Sequence, residues 1–184
     1  NQHGTHCART IGAVGNDGKG ISGVSQRVSL MAVKFLSGSG SGDTASAIKS
    51  IDYAVSRGAK VLSNSWGGSG DDGTNGALKE AVVRAEKAGV LFVAAAGNDG
   101  TDNDTRPVFP AAFDVPNMVT VAATTETDTM AFFSNKGLKS VHVGAPGANV
   151  YSTAPGGKYA KLSGTSMACP HVAGAAALIW SQFP

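Results

Sequence analysis

The sequence has little charge, few aromatic residues and no long apolar run. Charged residues make up 15% of the 184 and aromatic residues 7%, with a net charge of +2. Typical soluble domains carry roughly 25% charged residues. No basic run or stripe stands out, so the charge does not suggest a nucleic-acid partner. No apolar stretch approaches the roughly 20 residues needed to span a bilayer, and we expect no membrane partner.

Cysteine is also scarce. The two thiols, Cys7 and Cys169, do not form a Cys-x-x-Cys pair, which argues against a thiolate zinc site. One disulfide and two buried free thiols are equally compatible with this count. Cysteine usage therefore does not define the compartment in which the protein works.

Glycine, at 25 residues, and apolar residues, at 42%, are plentiful. The length suits one domain, and neither a repeat nor a linker divides residues 1–184. Strand-like and helix-like patterns alternate in the middle of the chain, which predicts a parallel sheet covered by helices. The predicted helices are 5–14, 44–57, 75–88 and 165–183, and the predicted strands are 27–36, 61–65, 90–96 and 118–124. A long loop is predicted at 99–116, and short strands and turns at 132–163.

The strongest motif is Gly-Thr-Ser-Met-Ala-Cys-Pro-His-Val-Ala-Gly at residues 164–174. Ser166 begins a long helix, where unpaired backbone N–H groups favour developing negative charge. Pro170 has no N–H and cannot bond the carbonyl of Ser166 four residues earlier, which predicts an irregular helix at the serine. These properties suit a nucleophile. Taken alone, Ser166 could equally be an ordinary helix cap.

A pair of histidines opens the chain in Asn-Gln-His-Gly-Thr-His. His3 is predicted to lie just before a helix, exposed and free to act as a base, although an ordinary surface histidine has the same pattern. His3 and His6 could instead bind a metal. Their spacing is not that of His-Glu-x-x-His, and no acidic residue lies between them, so a metal site is disfavoured.

A third motif ends the buried strand 90–96. Asn98 follows it at the carboxyl edge of the predicted sheet, where the sites of α/β proteins lie. Its amide could donate to an oxyanion, although Asn-Asp-Gly could simply start a turn. The chain therefore carries, in order, a candidate base, a candidate donor and a candidate nucleophile.

Together these three motifs resemble the subtilisin-like serine proteases, of the proteinase K-like and bacterial subtilisin types. The resemblance runs essentially through residues 1–184 and implies a three-layer α/β/α fold with a mainly parallel sheet. It also implies a serine endopeptidase that hydrolyses polypeptides through an acyl-enzyme. In that chemistry Ser166 is the nucleophile, His3 the base and Asn98 an oxyanion donor. No cofactor is required.

The resemblance implies that an extended peptide binds between backbone segments, as an added β-strand. The matching residues are Gly40, Ser41, Gly42, Ser65, Trp66, Gly67, Ala96 and Gly97. The glycine-rich loop 38–42 could also be read as a phosphate loop, but it lacks the Gly-Lys-Ser/Thr ending. The Phe109-Pro110 bond is expected to be cis beside the main specificity pocket, which Val108 would narrow.

Further expectations follow from the same resemblance. Asn16 and Asp17 lie in a candidate calcium loop, so structural calcium is an optional cofactor. Cys7 is expected to be a free, buried thiol behind His3, and the sulfur of Cys169 could approach it. The protein is expected to be secreted, to work as a monomer and to have a propeptide as a candidate partner.

One element of the family's triad has no match. The aspartate lies upstream of the histidine in the family, whereas this sequence starts two residues before His3. Asp17, Asp43, Asp52 and Asp99 do not fit the aspartate motif. We therefore expect residues 1–184 to be a single, incomplete catalytic domain without its N-terminal part, which folds poorly alone and shows little hydrolysis.

A second departure is Arg9, which replaces the glycine of the family's Cys-Ala-Gly-Thr. It adds bulk and a charge that must reach water or a carboxylate. Arg9 slightly favours an alternative function, a non-catalytic homologue that binds extended peptides. Retention of His3, Asn98 and Ser166 favours the enzyme.

Overall fold

The computed structural model describes residues 2–70 and 75–184. Four helices occur in these residues: α1 (Gln2–Gly12), α2 (Thr44–Ser56), α3 (Gly76–Lys87) and α4 (Thr165–Trp180). The strands are β1 (Val61–Asn64), β2 (Gly68–Ser69), β3 (Leu91–Ala95), β4 (Val108–Phe109), β5 (Met118–Thr124), β6 (Val143–Pro146), β7 (Val150–Ala154) and β8 (Lys158–Leu162). The alternation predicted for the middle of the chain is confirmed from α2 through β1 and α3 to β3, but its first predicted strand is not formed.

The central sheet has the order β1-β3-β5-β6, and all its pairs are parallel. Strand β3 shows why the layers form. Phe92 and Ala94 join a core cluster with α2 and α3, whereas Val93 and Ala95 join a second cluster with α4. Because successive side chains of a strand point to opposite faces, this continuous apolar run is covered by helices on both sides. The predicted three-layer α/β/α architecture is confirmed.

The helices begin and end for local reasons. Asp43 caps α2, since its Oδ1 accepts a hydrogen bond of 2.8 Å from the backbone N–H of Ser46. Gly58 follows α2 with a φ of 82°, the left-handed conformation that favours glycine after a helix. Helix α4 includes Pro170 and ends at Trp180, three residues before the predicted end.

The prediction for the first helix was wrong at both ends. Helix α1 begins at Gln2 rather than at residue 5, so His3 lies in its first turn and is half-buried. Tertiary bonds override the weak propensity of the local sequence. The Nε2 of His6 lies 3.0 Å from the carbonyl oxygen of Val150, and the Ser152 hydroxyl donates to the carbonyl of His6 at 2.9 Å.

The predicted strand 27–36 was also wrong, because these residues form no sheet ladder. They run opposite β1, the edge strand of the central sheet, across a groove of about 1080 Å³. A strand needs a neighbouring strand as well as an alternating apolar pattern. Among the described residues, no segment in this groove provides the backbone hydrogen bonds of a sheet. Leu30 and Met31 are each 45% exposed along it.

Two small antiparallel pairs complete the described chain. Strands β2 and β4 pair Gly68 with Phe109, and β4 lies inside the long loop that was predicted at 99–116. Strands β7 and β8 form a hairpin that turns at Gly156 and Gly157, both with positive φ. The Phe109-Pro110 bond is cis, as predicted.

Candidate active site

Ser166 is the second residue of α4 and is half-buried. Gly164 precedes the helix with a φ of 155°, a conformation that L side chains rarely adopt. The first turn closes through the Met167 N–H, which donates to the Gly164 carbonyl at 2.9 Å. The Ser166 hydroxyl donates to the carbonyl of Ser65 at 3.3 Å. The helix start thus presents this hydroxyl toward the segment that follows β1.

The carbonyl of Ser166 has an unusual set of partners. Its helical donor would be the N–H of residue 170, but Pro170 has none. The oxygen instead accepts from the Ser65 hydroxyl at 2.9 Å and from the Cys7 thiol at 3.3 Å. The irregularity predicted at the serine is therefore present, and donors from other elements bond the Ser166 carbonyl.

His3 lies on α1 and lines the groove beside β1. Burial lowers the pKa of His3 below its ordinary value, and the nearby charge of His6 lowers it further. A neutral imidazole is the form that can accept a proton. Within residues 2–70 and 75–184, no hydrogen bond joins His3 to Ser166, and such bonds are often long or misaligned before substrate binds.

Asn98 is held by Thr165, the fully buried residue that starts α4. The Oδ1 of Asn98 accepts from the Thr165 N–H at 2.8 Å and from the Thr165 hydroxyl at 3.0 Å. The same hydroxyl accepts from the Gly97 N–H at 3.1 Å. Because the carbonyl end of the amide is occupied, the Nδ2 amino group is the end available to a ligand.

The two candidate oxyanion donors converge next to Gly164. A Cβ placed on Gly164 would lie 3.6 Å from the Oδ1 and 3.7 Å from the Nδ2 of Asn98, and 3.7 Å from the backbone nitrogen of Ser166. The Asn98 amide group and the start of α4 therefore lie on either side of the same small space. Since Thr165 occupies the Oδ1, the Nδ2 and the Ser166 N–H are the groups there that suit a developing negative charge.

Sequence reasoning missed the support of the Asn98 loop. Asn103 and Asn135 are both buried, and the Nδ2 of Asn135 donates to the Oδ1 of Asn103 at 2.9 Å. Asn103 in turn donates to the Ala96 carbonyl at 2.8 Å, and the Oδ1 of Asn135 accepts from the Asp99 N–H at 2.9 Å. No sequence signal marks these two among other polar loop residues, because their partners are backbone groups of a distant segment.

The backbone segments predicted to bind peptide form two walls around Val108. A Cβ on Gly67 would lie 3.2 Å from Val108 Cγ1, and a Cβ on Gly97 would lie 3.6 Å from Val108 Cγ2. The predicted segments 65–67 and 96–97 therefore face the same side chain, which fits the expectation of a narrowed pocket.

The third predicted binding segment is Gly40, Ser41 and Gly42, an exposed loop. The chain just before it contacts the 65–67 wall through the rings of Phe35 and Trp66. Their centroids lie 5.1 Å apart in an edge-to-face arrangement. The loop is thus tied to the neighbourhood of the site, and its role in binding peptide stays a prediction.

The candidate calcium loop supplies few ligands. The carboxylate of Asp17 accepts from the Lys19 N–H at 3.0 Å, and the Nδ2 of Asn16 donates to Gln26 at 3.4 Å. Both residues are exposed. No group of three His, Cys, Asp or Glu side chains able to hold a metal occurs in the described part of the chain. One carboxylate fits calcium poorly, because this ion takes six to eight oxygen ligands.

Cys7 and Cys169 are both free thiols. Cys7 is half-buried, and burial raises the pKa of its thiol to about 12. Burial also raises the pKa of Cys169.

Arg9 is exposed on α1, so its charge reaches water directly. Among the residues described, no helix has the length and apolarity to cross a bilayer.

The chain matches the model of the subtilase family, peptidase S8, over residues 1–184. Thermitase of Thermoactinomyces vulgaris is 46% identical over 182 residues, which are 99% of this chain and 62% of that relative. Subtilisin DY of Bacillus licheniformis is 44% identical over 185 residues, covering 100% of this chain and 65% of the relative.

A solved structure shows the same fold. The crystal structure of a cold-adapted subtilisin-like serine proteinase matches with a TM-score of 0.87 at 40% identity. The match covers 99% of this chain and 62% of the other. The chain therefore spans slightly less than two thirds of the length of these relatives.

Proposed function

Because the chain belongs to the subtilase family of serine peptidases, we propose that it carries the nucleophile, base and oxyanion donors of an endopeptidase. The observation that carries this proposal is the convergence of the Asn98 amide and the Ser166 N–H beside Gly164. A protein that only binds peptides needs no pair of donors placed for a tetrahedral oxyanion. The retained nucleophile and base fit the same chemistry.

The proposed reaction follows the general acyl-enzyme scheme. Ser166 Oγ attacks the peptide carbonyl while the neutral His3 takes its proton, and the new C–O bond moves the carbonyl electrons onto oxygen. The Asn98 Nδ2 and the Ser166 N–H donate to that oxyanion. Its collapse breaks the C–N bond, and His3 gives the proton to the leaving amine. Water then hydrolyses the ester with His3 as base again.

We further propose that an aspartate from a segment outside residues 1–184 orients His3. The groove between β1 and residues 28–36 is lined by His3 and by β1, whose outer edge pairs with no strand among the described residues. An extended segment there would gain ladder hydrogen bonds on β1 and place a side chain beside the imidazole. On this proposal residues 1–184 alone hydrolyse peptides poorly, since the base lacks its orienting carboxylate.

The substrate is proposed to be a polypeptide that lies extended along segments 65–67 and 96–97. Val108 between Gly67 and Gly97 favours a small or medium apolar side chain in the pocket. We extend the family resemblance to an extracellular location, a monomeric state and a propeptide. Calcium at Asn16 and Asp17 stays a prediction, and no step of the proposed reaction uses it.

The test compares the product of the whole parent gene with its Ser166→Ala variant in fluorophosphonate labelling. Ser163→Ala is the matched control, since this exposed serine lies just before α4 and bonds only the Asn149 N–H in the described residues. We expect the wild type and Ser163→Ala to be labelled, and Ser166→Ala not to be. A folded wild type that resists the probe would instead indicate a non-catalytic peptide-binding homologue.

The aspartate proposal has its own test. Residues 1–184, produced alone, are expected to hydrolyse a peptide ester far more slowly than the whole gene product. Efficient turnover by residues 1–184 would contradict the proposal, because it would show that no outside carboxylate is needed.

A further inference from the structure

The peptide unit that joins Ser166 to Met167 is held at both of its polar atoms. Its N–H donates to the Gly164 carbonyl at 2.9 Å. Its oxygen accepts from Ser65 Oγ at 2.9 Å and from Cys7 Sγ at 3.3 Å. The plane of this peptide fixes the ψ angle of Ser166, and therefore helps to set the direction in which its Cα–Cβ bond points.

These two donors occupy a position created by Pro170. In a regular helix the N–H of residue 170 would hold the Ser166 carbonyl. Its absence removes the regular helical donor of this carbonyl, in the first turn beside the proposed nucleophile. Both replacements come from other elements: Ser65 follows β1, and Cys7 lies on α1.

Cys7 also links the two catalytic helices. It lies four residues after His3, so both side chains lie on the same face of α1, and both line the groove beside β1. Its thiol reaches across to the backbone of the residue that carries the nucleophile. With a thiol pKa of about 12, Cys7 stays protonated in the range where proteases are assayed and is present as an S–H donor.

We propose that Cys7 and Ser65 are positioning residues: through the Ser166 carbonyl, their S–H and O–H donors fix the nucleophile relative to His3. The proposal rests on the proposed function of Ser166 and deepens it. Neither side chain touches the reacting atoms. Cys7 is a structural donor in this arrangement and not a second nucleophile, because its protonated thiol is unreactive.

The test uses the whole parent protein and separates kcat from KM for a peptide amide. Cys7→Val keeps an apolar side chain but removes the donor, and Cys7→Ser restores a donor. Ser65→Ala removes the hydroxyl and keeps the backbone that is proposed to bind peptide. Ser63→Ala is the matched control two residues earlier, on β1, since the Ser63 hydroxyl lies 3.7 Å from Cys169 Sγ and is not bonded to Ser166.

We expect Cys7→Val and Ser65→Ala each to lower kcat about fivefold, the scale of one hydrogen bond, with KM unchanged. The double variant should lose more than either single variant. Cys7→Ser should recover part of the loss, and Ser63→Ala should match the wild type. An unchanged kcat in both single variants, or losses confined to KM, would overturn the proposal. So would a failure of Cys7→Ser to improve on Cys7→Val.

A second readout does not depend on activity. The carbonyl carbon of Ser166 can be observed by NMR in protein labelled with carbonyl-13C serine and 15N methionine, since Ser-Met occurs in residues 1–184 only at 166–167. Its shift should move when either donor is removed and stay unchanged in Ser63→Ala. If the shift moves in these variants but fluorophosphonate does not label the wild-type protein, the hydrogen bonds to the Ser166 carbonyl are supported and the proposed function is rejected. A shift that moves in neither variant would reject the positioning role.

Discussion

On the serine side of the candidate site, hydrogen bonds from buried and half-buried polar groups hold Asn98, the loop that carries it and the Ser166 carbonyl. Thr165 fixes Asn98, the Asn103–Asn135 pair fixes the loop that carries it, and two tertiary donors fix the Ser166 carbonyl. On the histidine side, α1 leads into a stretch without sheet pairing and borders an open groove. The difference teaches that residues 2–70 and 75–184 hold the candidate nucleophile and oxyanion donors in place on several sides, whereas the candidate base borders an open groove.

The largest effect is expected from a substitution on the serine side, at Gly164. In Gly164→Ala, a methyl group would occupy the space 3.7 Å from both donors and would strain a backbone with a φ of 155°. We expect kcat of the whole parent protein to fall on the order of 10³-fold, the scale of a lost oxyanion donor. Steady-state hydrolysis of a peptide amide measures it.

Gly76→Ala is the control for that substitution, because Gly76 starts α3 with nothing near its Cβ position. It should leave kcat unchanged and leave the protein at least as stable. A Gly164→Ala variant with nearly normal kcat would show that the oxyanion does not lie between Asn98 and Ser166.

The next test removes the Asn103 side chain and asks whether the buried Asn103–Asn135 pair stabilises the protein. Asn103→Ala leaves the Ala96 carbonyl and the Nδ2 of Asn135 without their hydrogen bonds. A buried group without a partner costs about 1–3 kcal/mol, so we expect the free energy of unfolding in urea to fall by that amount. The exposed Thr127→Ala should change it by far less. Equal effects would mean that water replaces the lost donor.

A smaller effect is expected at Val108, which lies between the two segments that are proposed to bind peptide, 65–67 and 96–97. Val108→Gly removes the side chain that both Gly67 and Gly97 face. We expect kcat/KM for a substrate with an aromatic side chain at the cleavage site to rise about tenfold relative to an alanine substrate, the lower end of pocket discrimination. An unchanged ratio would place the specificity pocket elsewhere.

The smallest expected effect concerns His3, on the side of the site that the described residues hold less firmly. Burial, and then His6, lower the pKa of His3, so the imidazole stays neutral at lower pH than an ordinary histidine. Activity that requires the neutral base is lost as pH falls through this lowered pKa. In residues 1–184 produced alone, the acid limb of the residual kcat/KM should therefore have a midpoint below about 6.5, the ordinary value for histidine. The whole parent protein should have a higher midpoint, because the proposed aspartate beside His3 favours the charged imidazolium. Equal midpoints would contradict the proposed aspartate.

The sequence was most informative where chemistry or composition is local. The apolar run around Phe92 and Val93 predicted a strand buried on both faces, and the Ser166 motif predicted an irregular helix start, because both depend on residues adjacent in the chain. The interpretation of 27–36 as a strand was wrong because pairing depends on what lies beside it. Asn103 and Asn135 were missed since nothing in their own segments distinguishes buried amides from exposed ones.

The docking of α1 has a consequence for how the protein is made. Helix α1 is bound through His6 to β7 and through Cys7 to the start of α4, across more than 140 residues of chain. A ribosome releases α1 before β7 and α4. The candidate base and nucleophile therefore cannot meet on the nascent chain until residues up to about the end of α4 have emerged. Synthesis itself delays the assembly of the proposed protease site until nearly all of these 184 residues are outside the ribosome.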